Sequence, residues 1–182
     1  MDRIQVSVFG TARSKEGDAD YAEAQQLGRL LAEAGLTVCT GGYSGAMEAV
    51  SRGAHEAGGH VVGITVEGWD EGGRAKTPNR WVIEEIRAAS LASRVERLVE
   101  SDALVAMRGG IGTLLEIAMA WNMMQVGQLA RKPLILVGAS WRAVASEIAT
   151  RLIVDQGDMA LVTVVDNVED AVAALQQGII KI

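Results

Sequence analysis

The chain has 182 residues, a net charge of −6, 49% hydrophobic residues and 22% charged residues. A chain of this length can bury one hydrophobic core, so we expect a single domain over residues 1–182. The negative charge argues against a sequence-independent nucleic-acid binder, because such binding needs many cations to neutralise phosphates. No apolar run approaches the roughly 20 residues that a membrane span requires, so no membrane partner is expected.

The start of the chain, MDRIQVSVFG, has no charged segment followed by an apolar segment and a small-residue cleavage site. This predicts a cytoplasmic protein. The sequence contains one cysteine, Cys39, which excludes an internal disulfide and a metal site built from cysteines. The two histidines, His55 and His60, are expected to be loop and packing residues. We therefore expect neither a metal site nor a cofactor.

Short β-type runs alternate with longer helical patterns along the whole chain. In chain order they predict strand 4–9, helix 18–34, strand 36–40, helix 44–57, strand 60–66, loop 67–80, strand 81–86, helix 91–100, strand 103–107, helix 111–126, strand 133–138, helix 141–155, strand 161–165 and helix 168–176. The strands are nearly all apolar, as expected when helices cover both faces of a sheet. The sequence thus predicts a Rossmann-like, doubly wound α/β fold with a mostly parallel sheet and helices on both faces.

Glycine-containing turns follow the first, second and fifth predicted strands: FGTARS (9–14), TGGYSGAMEA (40–49) and RGGIGT (108–113). In a doubly wound sheet, ligands bind outside the carboxyl ends of the strands, where these turns lie. Glycine permits close approach to the backbone, and a helix that begins there presents free amides. Together these features predict a phosphate cradle. Neither the dinucleotide fingerprint G-x-G-x-x-G nor a Walker pattern occurs.

Each of these features also has a purely structural interpretation. A glycine-rich strand-to-helix turn can serve tight packing alone. Thr113 and Glu116 have the spacing of a capping box, in which the Thr caps the helix and the Glu returns to a free amide. Arg94 and Arg97 have the spacing of surface residues paired with acids on their own helix.

Two segments resemble the LOG family, the cytokinin-activating phosphoribohydrolases. Residues 107–116, MRGGIGTLLE, resemble that family's P-G-G-x-G-T-x-x-E signature. The segment TGGYSGAMEAVSRGAHEAGGHVVGI resembles its G-G-x-x-G-L-M region and the strand that follows. The order of elements agrees from about residue 4 to residue 175. The resemblance extends to the related molybdenum-cofactor-carrier-like proteins, which share this nucleotide-binding fold.

The resemblance implies a nucleoside 5′-monophosphate ligand, and it assigns roles to individual residues. It implies that Glu116 is the catalytic carboxylate and that an arginine on the preceding helix completes the site, with Arg94 the best match and Arg97 the fallback. The phosphate is expected on Gly109, Gly110, Gly112 and Thr113. The other residues expected to bind the nucleotide are Gly10, Thr11, Gly41, Gly42, Gly45 and Met47.

The chain departs from the family pattern at two places. Arg108 replaces the signature proline, where it either adds a phosphate contact or faces solvent. The family's Met-His-x-Arg-Lys stretch appears here only as LASRV, residues 91–95. The absent His and Lys point to another nucleotide or to binding without turnover.

The expected activity is hydrolysis of the N-glycosidic bond of AMP or an N6-modified, cytokinin-type AMP, giving free base and ribose 5-phosphate. Glu116 would stabilise oxocarbenium character at the sugar and orient the attacking water. The alternative is a non-catalytic nucleotide or molybdenum-cofactor binding or carrier protein. Helix 111–126 is apolar around most of its circumference, more than one buried face needs. With the family resemblance, this predicts a homodimer that packs across that helix.

Overall fold

The structure is a computed structural model that describes residues 4–69 and 77–179. Its strands are β1 (Gln5–Phe9), β2 (Thr37–Thr40), β3 (Val61–Val66), β4 (Glu84–Ala88), β5 (Ala103–Ala106), β6 (Leu134–Val137) and β7 (Thr163–Val165). Its helices are α1 (Ala19–Glu33), α2 (Ala46–Glu56), α3 (Leu91–Val99), α4 (Ile111–Gln125), α5 (Ala139–Arg151), α6 (Gln156–Met159) and α7 (Val168–Ile179).

The strands form one sheet in the order β4-β3-β2-β1-β5-β6-β7. Every neighbouring pair of these described strands is parallel. The chain builds one half of the sheet outward from β1, then returns to the centre and builds the other half from β5. The predicted doubly wound α/β fold is therefore confirmed. The strand order reverses between β1 and β5, which is where such a sheet binds its ligand.

The turns after β1 and β5 are tied together at this reversal point. The Met107 amide donates to the Phe9 carbonyl at 2.8 Å, and the Thr11 amide donates to the Arg108 carbonyl at 3.2 Å. A third contact brings in the start of α2, because the Ala46 amide donates to the Thr11 carbonyl at 2.7 Å. All three predicted glycine turns thus meet at one end of the sheet.

Apolar side chains cover both faces of the sheet. One layer joins the sheet to α1, α2 and α7, and includes Val6, Leu27, Val50 and Leu175. The other joins it to α3, α4 and α5, and includes Phe9, Leu98, Leu104, Ile117 and Trp141. Successive residues of β5 alternate between the two layers. Burial on both faces explains why β5 and β6 are apolar at every position.

Helices α1 and α2 approach each other to backbone contact. A Cβ added to Gly28 would lie 2.0 Å from the Val50 carbonyl oxygen, and one added to Gly53 would lie 1.9 Å from the Gln25 carbonyl oxygen. No side chain larger than hydrogen fits at either position without moving a helix. The close packing holds α1 and α2 at a fixed separation.

The predicted strand 81–86 is wrong in its boundaries, because β4 begins only at Glu84. The apolar residues before it belong to a turn that Asn79 holds. The Asn79 side chain accepts from the Trp81 amide at 3.1 Å and donates to the Gly42 and Tyr43 carbonyls, both at 3.0 Å. Such side-chain bonds compete with strand pairing. As an edge strand, β4 is largely polar, which an apolar pattern does not reveal.

The predicted helix 141–155 is wrong in both boundaries, and the sequence pattern does not predict the short helix α6 that follows it. Helix α5 begins earlier, at Ala139, and ends at Arg151, and α6 follows as a separate short helix. The Asp155 side chain caps α6 by accepting from the Asp158 amide at 2.9 Å. The predicted loop 67–80 lies partly outside the described residues, which omit 70–76. Among the helices that are described, none is long and apolar enough to cross a membrane.

Candidate functional site

A cleft of about 1010 Å³ opens at the carboxyl ends of the central strands. It is lined by most of the residues predicted to form the site: Gly10, Thr11, Met47, Arg94, Gly109, Gly110, Gly112, Thr113 and Glu116. Residues from the three glycine turns and from α3 thus meet around one space. The volume is in the range of pockets that hold small-molecule ligands.

The start of α4 presents backbone amides to this cleft. Gly110 occupies the N-cap position and has no side chain with which to cap the helix. The first bond into the helix runs from the Leu114 amide to the Gly110 carbonyl at 2.9 Å. The three preceding amides belong to Ile111, Gly112 and Thr113, and a helix offers such amides no partner of its own. They lie at the positive end of the helix dipole, where anions bind.

The capping-box interpretation of Thr113 and Glu116 is wrong. Helix α4 begins at Ile111, so Thr113 is the third residue of the helix and not its cap. The Thr113 side chain is buried against Gly109, because a Cβ added to Gly109 would lie 2.1 Å from Thr113 Oγ1. Gly109 is therefore required by packing.

Gly110 and Gly112 have no such packing requirement. A Cβ added to either residue would meet nothing within 4 Å, and neither residue has a positive φ. The open space above both lies in the cleft. Glycine at these two positions leaves the backbone bare to a ligand, which the fold alone does not demand.

Arg94 reaches the cleft from beneath the β2 turn. Its side chain is buried, its Nε donates to the Ile64 carbonyl at 2.8 Å, and its Nη2 lies 3.6 Å from Met47 Sδ. The guanidinium carbon is 5.5 Å from the centre of the Tyr43 ring. A Cβ added to Gly41 would lie 1.6 Å from Nη2, so Gly41 makes room for the arginine. The surface interpretation is wrong for Arg94.

Arg97 occupies a different environment, one helical turn further along α3. It is exposed and does not line the cleft. Three other predicted residues, Gly41, Gly42 and Gly45, do not line the cleft either. Gly42 and Gly45 have φ values of 75° and 73°, which favour glycine, so both shape the turn that carries Met47.

Glu116 lies on α4 four residues after Gly112, so both share one face of the helix. Burial raises the pKa of Glu116 to about 7, and the nearby Arg94 guanidinium partly opposes this rise. Burial likewise lowers the pKa of Arg94, which Glu116 partly opposes. A carboxyl group that exchanges its proton near neutral pH can serve as an acid or a base.

Several residues of the cleft were missed by the sequence reasoning. Tyr43 and Trp69 contact each other edge to face at 5.3 Å, and both line the cleft. Asp20, in the first turn of α1, forms an ion pair with Arg108 at 3.4 Å across its rim. The aromatic residue inside TGGYSG was the available signal for Tyr43. Nothing local in the sequence pairs Asp20 with Arg108, which are 88 residues apart.

Similar proteins are known from sequence and from structure. A rice protein (Oryza sativa subsp. japonica) named "Probable cytokinin riboside 5'-monophosphate phosphoribohydrolase LOGL5" is 37% identical over 131 residues. The match covers 67% of this chain and 50% of the rice protein, so the chain spans about half the length of that curated relative.

Two solved structures share the fold over nearly the whole chain. The molybdenum cofactor binding protein of the phototrophic bacterium Rippkaea orientalis has a TM-score of 0.78 and 25% identity, over 98% of this chain and 99% of that one. The Moco carrier protein of Chlamydomonas reinhardtii has a TM-score of 0.75 and 28% identity, over 100% of both chains. The sequence profile of the SLOG cluster4 family matches residues 3–172. This protein therefore belongs to the SLOG cluster4 family, and the LOG-family resemblance predicted from its sequence is confirmed.

Proposed function

We propose that this protein binds a nucleoside 5′-monophosphate in the cleft and hydrolyses its N-glycosidic bond. The observation that carries the proposal is that one cleft contains both the amides at the start of α4, which no side chain covers, and the partly buried carboxyl group of Glu116. The first can hold a phosphate, and the second can act on the sugar to which that phosphate is attached.

The phosphate binds to the amides at the start of α4 and to Thr113. Gly110 and Gly112 allow it to approach the backbone, since no side chain covers them. Gly10 and Thr11, from the β1 turn, line the same part of the cleft. This contact lies away from the reacting carbon, so its energy positions the sugar against Glu116. Met47 lines the nucleoside side.

The reaction breaks the bond between the sugar carbon and the base nitrogen. As the base leaves, positive charge develops on the sugar, and the Glu116 carboxylate stabilises it. The same carboxylate orients the attacking water and accepts its proton. The products are the free base and ribose 5-phosphate. Arg94 favours the ionised form of Glu116, as the opposing influence on its pKa indicates.

The relatives support this reaction class. The rice relative has cytokinin riboside 5′-monophosphate phosphoribohydrolase in its name. The substrate we propose is AMP or an N6-modified AMP. Because the match covers half of the rice protein, the activity and the substrate are both proposals for this chain.

A second candidate is a carrier that binds a phosphorylated cofactor without turnover. Two observations favour it. The molybdenum cofactor binding and carrier proteins match this chain over 98% and 100% of its length. The His and Lys of the family's Met-His-x-Arg-Lys stretch are absent from LASRV, residues 91–95. A carrier uses the same cradle and needs no reactive carboxylate.

Measuring the free base released from AMP distinguishes a hydrolase from a carrier. The purified protein is incubated with AMP, with N6-modified AMP and with adenosine, and the base is separated by chromatography. We expect release from the monophosphates, little from adenosine, and loss of release in Glu116→Gln, with Glu96→Gln as the matched control on an exposed face of α3. Binding of the monophosphates without any release would favour the carrier.

We also propose that the protein forms a homodimer through α4. Four apolar side chains at and after its start are exposed, with Ile111 at 82% and Leu115 at 48%. Leu114 and Val126 extend the same apolar surface. An apolar surface of this kind commonly marks a protein contact.

A further inference from the structure

Arg108 stands at the point where two of the glycine turns meet. Its carbonyl accepts the Thr11 amide at 3.2 Å, which fixes its backbone between the β1 turn and the β5 turn. Its side chain lines the cleft and reaches the Asp20 carboxylate in the first turn of α1, with Nη1 3.4 Å from Oδ2. The residue immediately precedes Gly109, and thus the amide cradle.

The ion pair between Arg108 and Asp20 is weak. It consists of one contact at 3.4 Å, and the two side chains are 68% and 36% exposed. Exposed pairs with a single long contact contribute little to stability, because water screens the charges and both side chains lose freedom. Arg108 can therefore leave Asp20 at little cost when a stronger anion arrives.

A phosphate monoester is such an anion. It carries nearly two negative charges at pH 7 and offers three acceptor oxygens, whereas a carboxylate carries one charge. The guanidinium group can bind a phosphate through two parallel hydrogen bonds, which its contact with Asp20 does not achieve.

We propose that Arg108 binds the substrate phosphate. In the free protein Asp20 holds the Arg108 side chain at the rim of the cleft, and Arg108 leaves Asp20 when a phosphate monoester binds. The inference rests on the proposed function, since it assumes that the phosphate occupies the cradle at the start of α4. Arg108 then makes this chain select phosphorylated nucleosides over unphosphorylated ones. The residue pair gives the site a cation that the signature proline cannot supply.

The test measures binding by calorimetry, separately from turnover. All variants carry Glu116→Gln, so that AMP is not consumed, and each is titrated with AMP and with adenosine. Arg108→Ala is expected to weaken AMP binding by about tenfold, the value of one charged hydrogen bond, and to leave adenosine binding unchanged. Arg108→Pro, which restores the signature residue, is expected to behave in the same way. Arg131→Ala is the matched control, an exposed arginine outside the cleft.

Asp20→Asn provides the second half of the test. It is expected to tighten AMP binding, since Arg108 no longer has a competing partner and one negative charge is removed. In the double variant Asp20→Asn with Arg108→Ala the two single effects are expected not to add, because both residues act on one ligand, and simple additivity would contradict this.

The measurements separate an error in the Arg108 inference from an error in the phosphate site or in the proposed hydrolysis. If Arg108→Ala changes AMP affinity by less than twofold, or weakens AMP and adenosine equally, Arg108 is a surface residue and this inference is wrong. If the parent binds AMP no more tightly than adenosine, the phosphate cradle fails as well. If AMP binds and Arg108 contributes as expected, yet the wild-type protein releases no base, only the proposed hydrolysis fails.

Discussion

Glu116 must be ionised to act in the proposed reaction, yet its surroundings disfavour the ionised form. Its partial burial on α4 raises its pKa from 4.5 to about 7, so the carboxylate that the reaction needs is costly to maintain in the folded protein. Arg94 reduces this cost without removing it. Functional sites commonly trade stability for reactivity in this way.

Removing the charge should therefore stabilise the free protein. The folded pKa lies above the unfolded value, so the cost is absent below pH 4.5 and is fully present above pH 7. We expect Glu116→Gln to raise the free energy of unfolding by roughly 1–3 kcal/mol at pH 7.5 and by less than about 1 kcal/mol at pH 5. Urea unfolding at the two pH values measures this. A variant less stable than wild type at pH 7.5 would contradict the burial of the charge, and Glu96→Gln is the neutral control.

Arg94 and Arg97 lie one turn apart on α3 and are expected to differ sharply. Arg94 is buried beside Glu116, whereas Arg97 is exposed outside the cleft. We expect Arg94→Ala to lower kcat/KM for AMP by roughly 100-fold, because it removes a buried charge from the reacting centre. Arg97→Ala should stay within about twofold of wild type, as exposed surface changes usually do. Steady-state kinetics on both variants measures this difference. Equal losses of kcat/KM in the two variants would rule out Arg94 as the site arginine.

The glycines within helices α1, α2 and α4 have different roles. Gly53 of α2 allows the backbone of α1 to approach, whereas Gly112 of α4 faces open space in the cleft. The sequence shows both simply as glycines within helical patterns, and only the structure separates them. The distinction gives a matched pair of substitutions with opposite expectations.

Gly53→Ala should destabilise the fold, since its Cβ would lie 1.9 Å from the Gln25 carbonyl oxygen. We expect a loss of roughly 2 kcal/mol or more, the upper part of the range for overpacking. Gly112→Ala should change stability by no more than about 1 kcal/mol, since alanine also favours a helix. Its methyl group should nevertheless weaken AMP binding by at least about tenfold, through loss of a phosphate contact. Thermal unfolding measures the stability of both variants, and calorimetry measures their AMP binding. A stable Gly53→Ala variant, or a Gly112→Ala variant that binds AMP normally, would contradict these roles.

The elements that the sequence predicts well are those with strong local signals. Strand β5 is apolar at every position because both faces of the sheet are covered there, and the pattern alone locates it. The start of β4 is not predictable in this way, because Asn79 bonds to the Gly42 and Tyr43 carbonyls more than 30 residues away. Local pattern carries no information on such contacts.

The same limit applies to the site. The glycine turn and its order in the chain indicate an anion cradle, since both depend on neighbouring residues. The burial of Arg94 depends on the Ile64 carbonyl and on the absence of a side chain at Gly41, neither of which is adjacent to it in sequence. The ion pair of Asp20 with Arg108 likewise forms only when α1 and the β5 turn meet.

The topology of the whole molecule explains why the site lies where it does. The reversal of strand order between β1 and β5 leaves a gap between the helices that follow them, and the cleft occupies it. The net charge of −6 does not prevent binding of an anion, because a few aimed amides and arginines act at short range while distant charges are screened.

The proposed dimer can be tested on its exposed apolar surface. Leu115 on α4 is 48% exposed, and Leu152, between α5 and α6, is 61% exposed and serves as the control. We expect Leu115→Asp to convert a dimer to a monomer, because a carboxylate in an apolar interface loses its hydration. Leu152→Asp should leave the dimer intact. Light scattering after gel filtration measures the mass, and a monomeric wild-type protein would contradict the proposal.

The claim that Glu116 performs the chemistry is tested most directly by the dependence of kcat/KM for AMP hydrolysis on pH. The free protein must carry Glu116 as a carboxylate, and its pKa is about 7. We expect kcat/KM to rise tenfold per pH unit below this pH and to be constant above it. A rate that is constant from pH 5 to pH 8, or that falls only near the ordinary glutamate pKa of about 4.3, would contradict it.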